Sequence, residues 1–436
     1  MRDENVLYWI WLSERCGVAS KDFGRLMEKY DEPFDIYELK EEEIEHLEGI
    51  GAALKSRLCD KSIDSSYAIE RYCKENKVDI ITYGDTRYPD RLKRIETPPV
   101  LLYCLGKFPN FNERLCIGMV GTREMSEYGK SSAYKISYEL ASAKVLIVSG
   151  MARGVDAVSA CGALEAGGET VAVLGSGISV VYPKNHDKLM KAISRHGAVI
   201  TEYPPFEPPH GKNFPKRNRI ISGLCQGAVI VEGNMRSGAL ITASRAIAQG
   251  REVFALPGKI NEDNSEGPNE LIKNGAYLAQ SSDDILNFYD FLYHEVIYYK
   301  GHTKSKKHTL DISGALRKYG VSDTKRGKNY SPKEDFGEEL MSASDIITKK
   351  EIFKENKAEK QEPKAQTQTA DHSEELLASL DDKSRIVFAN MPIDKAVSTD
   401  ALLDTGLSAS DILTAFTVLE INGLISTLPG GLFIRK

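Results

Sequence analysis

Six short apolar segments recur between residues 115 and 287, and stretches long enough to form helices separate most of them. Each segment is nearly continuous in Val, Ile and Leu, which is typical of strands buried on both faces of a parallel sheet. The alternation predicts an α/β fold with a doubly wound, mostly parallel sheet and right-handed crossovers. The predicted strands are LCIGMVG (115–121), KVLIVSG (144–150), TVAVLGSG (170–177), AVITEY (198–203), GAVIVEG (227–233) and EVFALPG (252–258).

The chain of 436 residues is too long for one ordinary core, so we expect further domains around this sheet. We place a small helical domain at 1–75 and the sheet domain at 80–290. We predict that residues 80–110 form an irregular stretch with a short apolar run, which leads into the sheet domain. The segment 296–373 is dominated by Lys, Glu, Gln, Ser and Thr, and we expect a largely disordered linker there. We interpret its Lys-rich runs as solvated surface charge in preference to a tail that binds nucleic acid weakly.

The N-terminal segment EHLEGIGAALKSRL (45–58) contains Gly49-Ile50-Gly51 between two runs with helical apolar periodicity. One interpretation is a helix-hairpin-helix, in which the glycine turn offers backbone N–H groups to a phosphate. The other is an ordinary glycine-rich turn in a small helical domain. Both interpretations remain open from the residues.

Residues 374–436 regain periodicity, with three predicted helices followed by two short strands around Pro429-Gly430-Gly431. This order predicts a winged helix. Ser408 is the expected N-cap of the third helix. Residues 409–422 include no Lys or Arg, and a helix that reads DNA normally needs cations for the phosphates. We therefore favour a protein contact over duplex binding for this domain.

Composition favours a cytoplasmic protein without a metal or cofactor. No apolar run approaches the length of a membrane span, and the N-terminus lacks the pattern of a signal peptide. The seven cysteines are dispersed, with no CxxC pair, which fits buried thiols in a reducing compartment. The formal net charge of −6 excludes a generally basic coat for nucleic acid but allows a local basic patch.

Two nucleotide-binding motifs match only in part. The segment YGKSS (128–132) resembles the end of a P-loop, but Glu124 stands where the first glycine is required. The segment GSGISV (175–180) begins like GxGxxG, but Val180 occupies the third glycine position. No serine on a strand-end turn has a recognisable histidine partner, so we expect no catalytic residues.

Glycines and cations gather where the predicted strands end. Because parallel sheets bind ligands beyond the carboxyl ends of their strands, we expect an anion-binding crevice at this edge. The chain is acidic overall, yet residues 212–219 hold four cations and no acid. Cations beside an aromatic ring are typical of a groove for single-stranded DNA. The candidate residues are Gly121, Arg123, Lys184, Lys212, Phe214, Lys216, Arg217, Asn218 and Arg219.

For two of these residues a structural interpretation stays open beside the functional one. Arg217 and Arg219 could pair inward with Glu202 and Glu232 at neighbouring strand ends. The alternative is less favoured for Lys212 and Lys216, because lysines are seldom buried.

Many motifs follow one another in the order that is found in the DprA/Smf family of DNA-processing proteins, which the chain resembles over residues 80–287. The motifs are VGTR (120–123), SGMARGVDAVS (149–159), VLGSGISVVYPKNH (173–186), FPKRNRIISGL (214–224), VIVEGNMRSGALITA (229–243), REVFALPG (251–258) and GPNELIKNGA (267–276). The resemblance implies an extended Rossmann-like domain, with a SAM-like helical domain before it and a winged helix after it.

The resemblance also implies function. Family members bind single-stranded DNA, form homodimers and load RecA, including onto strands coated by single-strand-binding protein. It places Arg123, Phe214 and a lysine near Lys212 in the DNA groove, with Lys184 a further candidate. One departure is Ala160, which stands where the family often has a histidine.

An enzyme is the alternative. Some Rossmann-like proteins with glycine-rich edges hydrolyse nucleoside monophosphates. They need a carboxylate beside a PGGxGTxxE-type loop, and the corresponding loop here, NMRSGALITA (234–243), has no glutamate. The residues therefore favour a binding protein.

Overall fold

The computed structural model divides the chain into two compact units, residues 1–358 and 359–436. It describes residues 2–293, 310–322, 380–392, 397, 402, 405, 407–421, 424–428 and 432–435. Among these, no helix combines the length and the apolar character that a membrane span requires.

A nine-stranded mixed sheet forms the centre of the first unit, in the order β1-β2-β6-β5-β4-β3-β7-β8-β9. The seven strands from β6 to β9 in this order are parallel, and β2 and β1 extend the sheet antiparallel beside β6. The strands are β1 (Val78–Thr82), β2 (Leu101–Gly106), β3 (Cys116–Val120), β4 (Leu146–Ser149), β5 (Thr170–Val173), β6 (Gly197–Thr201), β7 (Gly227–Ile230), β8 (Glu252–Ala255) and β9 (Tyr277–Leu278).

Helices cover both faces of this sheet, and two large clusters of buried apolar side chains lie between the layers. The helices of the first unit are α1 (Arg2–Cys16), α2 (Lys21–Met27), α3 (Pro33–Glu38), α4 (Glu41–Glu45), α5 (Ala52–Leu58), α6 (Asp64–Glu75), α7 (Asp90–Lys93), α8 (Glu127–Ser142), α9 (Val155–Glu165), α10 (Asp187–Arg195), α11 (Asn213–Leu224), α12 (Gly238–Ala248), α13 (Asp263–Lys273), α14 (Ser282–Tyr293) and α15 (Ile312–Lys318), with a 3-10 turn at Lys184–His186. The doubly wound, mostly parallel sheet agrees with the sequence prediction.

All six predicted strands form, as β3 to β8, but β1, β2 and the two-residue β9 were missed. The prediction that residues 80–110 are irregular is wrong for β1 and β2. β2 is buried along its first four residues and pairs antiparallel with β6 through Tyr103 and Thr201. Since Pro98 and Pro99 directly precede the run, its sequence resembles a loop more than a strand.

The N-terminal helices share one cluster of buried side chains with the sheet, in which Trp9 and Trp11 of α1 lie with Tyr103 of β2. The boundary of a separate domain at 1–75 therefore stays a prediction. In the turn between α4 and α5, the amide of Gly51 donates to the carboxylate of Asp22 at 3.1 Å. This hydrogen bond occupies a donor that the helix-hairpin-helix interpretation would assign to a phosphate.

Helix α15 lies inside the segment predicted to be a disordered linker, and it corrects that prediction for residues 310–322. Leu316, Tyr319 and Val321 are buried, and α15 packs against α9. Lys318 and the hydroxyl of Tyr319 both donate to Glu165 of α9. The overall composition of 296–373 is polar, but the apolar side chains of α15 provide enough contact to hold this short helix against α9. The remainder of 296–373 lies outside the described residues.

The second unit contains α16 (Asp382–Asn390), α17 (Ala409–Ile421) and a hairpin of β10 (Ile425–Leu428) with β11 (Leu432–Arg435). Phe416 of α17 stacks on Phe433 of the hairpin, with ring centroids 3.8 Å apart. The predicted N-cap forms, because the amide of Asp411 donates to the Ser408 hydroxyl at 3.2 Å. The turn at 429–431 and most of the predicted middle helix lie outside the described residues.

Candidate nucleic-acid interface

The chain changes winding direction between β3 and β7, which are neighbours in the sheet. From β3 it proceeds outward through β4, β5 and β6, and α11 then carries it back to β7 on the other side of β3. In open α/β sheets such a switch point leaves a crevice beyond the carboxyl ends of the strands, where ligands bind. The predicted site therefore has a topological basis.

A cleft of about 1060 Å³ occupies this position, and we refer to it as the switch-point cleft. The loop after β3, the first turns of α11 and α12, and the segment before α13 form its walls. Five of the nine predicted site residues line it: Gly121, Arg123, Phe214, Arg217 and Asn218.

Gly121 lets β3 end close to the start of α9. A Cβ atom at this position would lie 2.5 Å from a methyl carbon of Val155, which is buried. Any larger residue would push the loop that carries Arg123 away from the sheet. Gly121 therefore shapes the cleft wall.

Phe214 is buried, with 6% of its surface exposed, which corrects the prediction of an open stacking platform. Its ring packs 5.3 Å from the ring of Tyr182, and the Arg123 guanidinium lies 5.4 Å from its centroid. Tyr182, Arg123 and Arg217 surround the ring and leave little of its face open to a base. Arg123 and Phe214 instead place a guanidinium on an aromatic support, at the side of the cleft.

Arg217 holds strand ends together. It is 3% exposed and donates to the carbonyl oxygen of Gly150 at 2.9 Å and to that of Val173. Burial lowers the pKa of Arg217 to about 10, against the opposing effect of Asp156. The predicted carboxylate partners are replaced by backbone carbonyls after β4 and at the end of β5, so its principal role is structural although it lines the cleft.

For Arg219 the structure agrees with the structural interpretation that the sequence left open, a pair with Glu202, and not with a contact to DNA phosphates. Arg219 forms an ion pair with Glu202, and the side chains of both residues are 5% exposed. Burial raises the pKa of Glu202, while Arg219 opposes the shift. Glu232, the other predicted partner, instead accepts a hydrogen bond from the Ser126 amide at 2.9 Å, at the start of α8.

The predicted lysines are exposed and do not line the cleft. Lys212 is the N-cap residue of α11, Lys216 follows one turn later, and Lys184 begins the 3-10 turn after β5. Residues four apart on a helix lie on the same face. Lys212 and Lys216 therefore present two charges on one exposed side of α11, whereas Phe214, Arg217 and Asn218 point toward the cleft.

Several cleft residues were missed from sequence. Arg236 and Asn234 come from the loop between β7 and α12, and Asn261 and Asn264 precede and begin α13. The side-chain amide of Asn264 donates to the backbone carbonyl oxygen of Glu124 at 2.8 Å, which connects the start of α13 to the loop after β3. The strand-end position of NMRSG (234–238) was the available signal for Arg236.

An exposed isoleucine lies next to the same wall. Ile260 is 97% exposed, directly before Asn261. The base of its loop is fixed by two 3.0 Å hydrogen bonds between the Asn269 side chain and the backbone of Gly258, and by the Tyr128 hydroxyl, which donates to Pro257. The turn is thus held in place while its apolar tip faces solvent.

The cleft also holds carboxylates: Glu124, Asp156, Glu262 and Asp263. Asp156 accepts a 2.9 Å hydrogen bond from the Gly150 amide, and burial raises its pKa against the effect of Arg217. Within the described part of the chain, no cluster of His, Cys, Asp and Glu could hold a metal ion. The cleft is therefore of mixed charge, whereas the start of α11 carries the exposed Lys212 and Lys216 with no acid from residue 212 to 219.

The fold and the site define a class: a doubly wound α/β protein with a crevice of mixed charge at its topological switch point and a helical and hairpin unit at its C-terminus. The family model for DNA recombination-mediator protein A matches residues 79–290, and that for the DprA winged helix domain matches residues 365–431. The chain belongs to the DprA/Smf family of DNA-processing proteins.

Individual relatives agree with this assignment. DNA processing protein DprA of Streptococcus pneumoniae is 40% identical over 234 residues, which span 52% of this chain and 79% of that protein. Protein Smf of Escherichia coli is 39% identical over 235 residues, or 54% of this chain and 62% of that protein. The X-ray structure of the pneumococcal protein aligns with a TM-score of 0.56 at 34% identity, over 64% of this chain and 97% of that one. The recognised family, the Rossmann-like sheet and the C-terminal winged helix are confirmed.

Proposed function

We propose that this chain binds single-stranded DNA along the exposed start of α11 and into the switch-point cleft, and that it mediates recombination by loading RecA onto that DNA. The observation that carries the proposal is the pairing of a cation-rich helix start, without an acid from residue 212 to 219, with a ligand crevice at the switch point. Membership of a family of DNA-processing proteins supports it.

The exposed cations are suited to the phosphates. Lys212 and Lys216 share one face of α11, Lys184 lies in the 3-10 turn, and Arg236 is exposed beside the cleft. Each cation that neutralises a phosphate releases counterions, which provides affinity without reading sequence. The single-stranded DNA is therefore bound with little preference for its base sequence.

Bases are suited to the cleft itself. Guanidinium planes stack on unpaired bases, and Arg123 presents such a plane with the buried ring of Phe214 behind it. Ile260 offers an apolar contact at the edge of the same wall. Bases inside a duplex are stacked on each other and cannot make these contacts, so single strands are preferred.

The proposal includes partners that rest on the family resemblance: a homodimer, RecA, and strands coated by single-strand-binding protein. The chain acts in the cytoplasm as a binding protein without cofactor or chemistry. We assign the chain a helical domain (1–75), a DNA-binding domain (80–290), a linker (296–373) and a winged helix (374–436). The winged helix is assigned the contact with a protein partner.

The test is a competition experiment with the full chain. A fluorescent oligo(dT) is bound first, and unlabelled single-stranded or duplex DNA of equal length is then titrated. We expect the single strand to compete at a much lower concentration than the duplex. Equal competition would contradict the proposal.

The same preparation is incubated with AMP to examine the alternative of a nucleoside-monophosphate hydrolase. We expect no release of free base. Base release that is abolished by Arg123→Ala would replace the binding proposal with the enzyme.

A further inference from the structure

The turn between α1 and α2 reaches the buried ion pair on α11. Ala19 in this turn has a φ of 60°, an uncommon value for a residue with a Cβ atom, and its backbone amide favours the ionised form of Glu202, which lowers the pKa of that carboxyl against the raising effect of burial. Glu202 in turn pairs with Arg219 of α11, and both are buried. The turn therefore lies beside the ion pair that anchors the helix carrying Lys212 and Lys216.

A second contact reaches the loop that leads into α11. Tyr72 of α6 packs edge-on against Phe206, with ring centroids 4.6 Å apart. Phe206 is 63% exposed and lies in the loop 203–212, directly before α11. This ring pair joins the exposed Phe206 to α6.

The opposite side of this loop is fixed by the segment after β5. The Gly177 amide donates to the carbonyl oxygen of Glu207 at 2.8 Å, and the Ser179 hydroxyl donates to that of Pro205 at 2.6 Å. The Tyr203 hydroxyl donates to the carbonyl oxygen of Asn213, the first residue of α11. The loop is thus held by the sheet on one side and by α6 on the other.

We propose that the N-terminal helices position the DNA-binding surface: Tyr72 of α6 holds Phe206, and thereby fixes the loop 203–212 and the start of α11 in the arrangement that binds a single strand. This inference rests on the proposed function. Tyr72 is a positioning residue, because it acts on the strand through the loop. The helical domain would then set affinity for DNA without touching the DNA.

The test compares Tyr72→Ala with two controls in the full chain. Tyr72→Phe keeps the ring, and Tyr67→Ala removes another ring from the same helix, where Tyr67 is 52% exposed. Since Tyr72 and Phe206 are both partly exposed, the melting temperature of all three variants should stay close to that of the wild type. Hydrogen exchange of the loop 203–212 is measured without DNA, and affinity for oligo(dT) is measured over a series of salt concentrations.

We expect Tyr72→Ala to speed exchange in the loop and to weaken oligo(dT) binding by roughly 2- to 10-fold, the range that an aromatic pair provides. The salt slope should become flatter, because Lys212 is no longer held in place. Tyr72→Phe and Tyr67→Ala should match the wild type in each measurement.

Unchanged exchange and unchanged affinity in a folded Tyr72→Ala protein would overturn the inference while leaving the proposed function intact. If the wild type itself fails to bind oligo(dT), the proposed function is wrong, and the exchange of the loop still tests the contact. Should Tyr72→Ala not fold, Phe206→Ser removes the same pair from the loop side and takes its place.

Discussion

Lys216 and Arg217 are consecutive residues of α11, but their side chains have opposite environments. Lys216 is exposed, whereas Arg217 is 3% exposed and bound to carbonyl oxygens at strand ends. The helical period places every third or fourth residue on the face that meets the sheet. A cluster of cations in the sequence therefore separates into structural arginines and surface lysines.

The first prediction concerns the buried pair. Arg219→Ala should lower the free energy of unfolding by about 3–5 kcal/mol, because it leaves Glu202 buried without its charge partner. Urea denaturation measures the change. Lys216→Ala, one turn away and exposed, is the control and should stay within about 0.5 kcal/mol of the wild type. Equal stability of both variants would show that the pair does not hold α11.

The second prediction concerns His186, which is 1% exposed and contacts the carbonyl oxygen of Met151 through Nδ1 at 3.0 Å. Burial lowers the pKa of His186 below its ordinary 6.5, and Arg153 adds to the shift. The folded protein thus binds fewer protons at this site than the unfolded chain. The neutral His186 therefore contributes its full stability above pH 6.5, the pKa of the unfolded chain. This contribution is lost as the pH falls toward the lowered pKa of the folded protein.

Thermal melts between pH 5 and 8 measure this dependence. His186→Gln keeps a hydrogen-bond donor but cannot gain a proton, so its melting temperature should fall less than that of the wild type on acidification. Parallel curves for the two proteins would rule out His186 as the titrating group.

At the scale of elements, the periodicity of the sequence determined most of the sheet. Strands β3 to β8 were predictable because both of their faces are buried and their sequences are continuous in apolar residues. β1 has five residues, of which Asp79 and Ile80 are not buried, and β2 follows a Pro-Pro pair, so local sequence favoured a loop for both. β1 pairs with β2, and β2 pairs with β6, which is a long-range contact that no local pattern reveals.

The site was predictable in part for a similar reason. Gly121 and Arg123 follow a clear strand, so topology placed them at the crevice. The sequence did not reveal which cations of α11 face the sheet, because Lys216 and Arg217 carry the same charge and residue type alone does not separate them. Arg236 and Ile260 reach the cleft region through loops whose course depends on hydrogen bonds between distant segments, such as Asn269 to Gly258.

The third prediction concerns α15 and its contact with α9. Leu316 is 1% exposed, and its truncation to Ala should loosen α15 from α9. Hydrogen exchange in residues 310–322 should then speed by roughly tenfold or more, while exchange in the sheet stays unchanged. Arg317→Ala, at an exposed position of the same helix, is the control and should leave exchange as it is. Slow exchange in Leu316→Ala would mean that the ion pair of Lys318 with Glu165 suffices.

At the scale of the whole molecule, one unit carries the candidate DNA surface and the other the winged helix. In the described part of α17, Asp411 is the acid of the first turn, where it pairs with Lys383 of α16 at 2.7 Å. Since the α17 sequence has no Lys or Arg to meet phosphates, we expect the winged helix to bind a protein partner.

The fourth prediction tests the partner. The full chain should speed RecA filament growth on single strands that are already coated by single-strand-binding protein. Filament growth can be followed by the ATP hydrolysis that RecA performs on DNA. Arg123→Ala and Lys212→Ala should lose the effect in proportion to their loss of affinity for DNA. Equal growth with and without the protein would reject the loading activity.

The salt dependence of oligo(dT) binding tests the central claim most directly. With about three or four phosphates neutralised, log K should fall with log salt at a slope of roughly −2 to −3, at ~0.7 per phosphate. Lys212→Ala and Arg123→Ala should each weaken binding and flatten the slope by ~0.7. Lys107→Ala is the matched control, since Lys107 is exposed beyond β2, beside the amino end of β6 and thus at the opposite edge of the sheet. Folded Lys212→Ala and Arg123→Ala proteins that bind with wild-type affinity and slope would contradict the account.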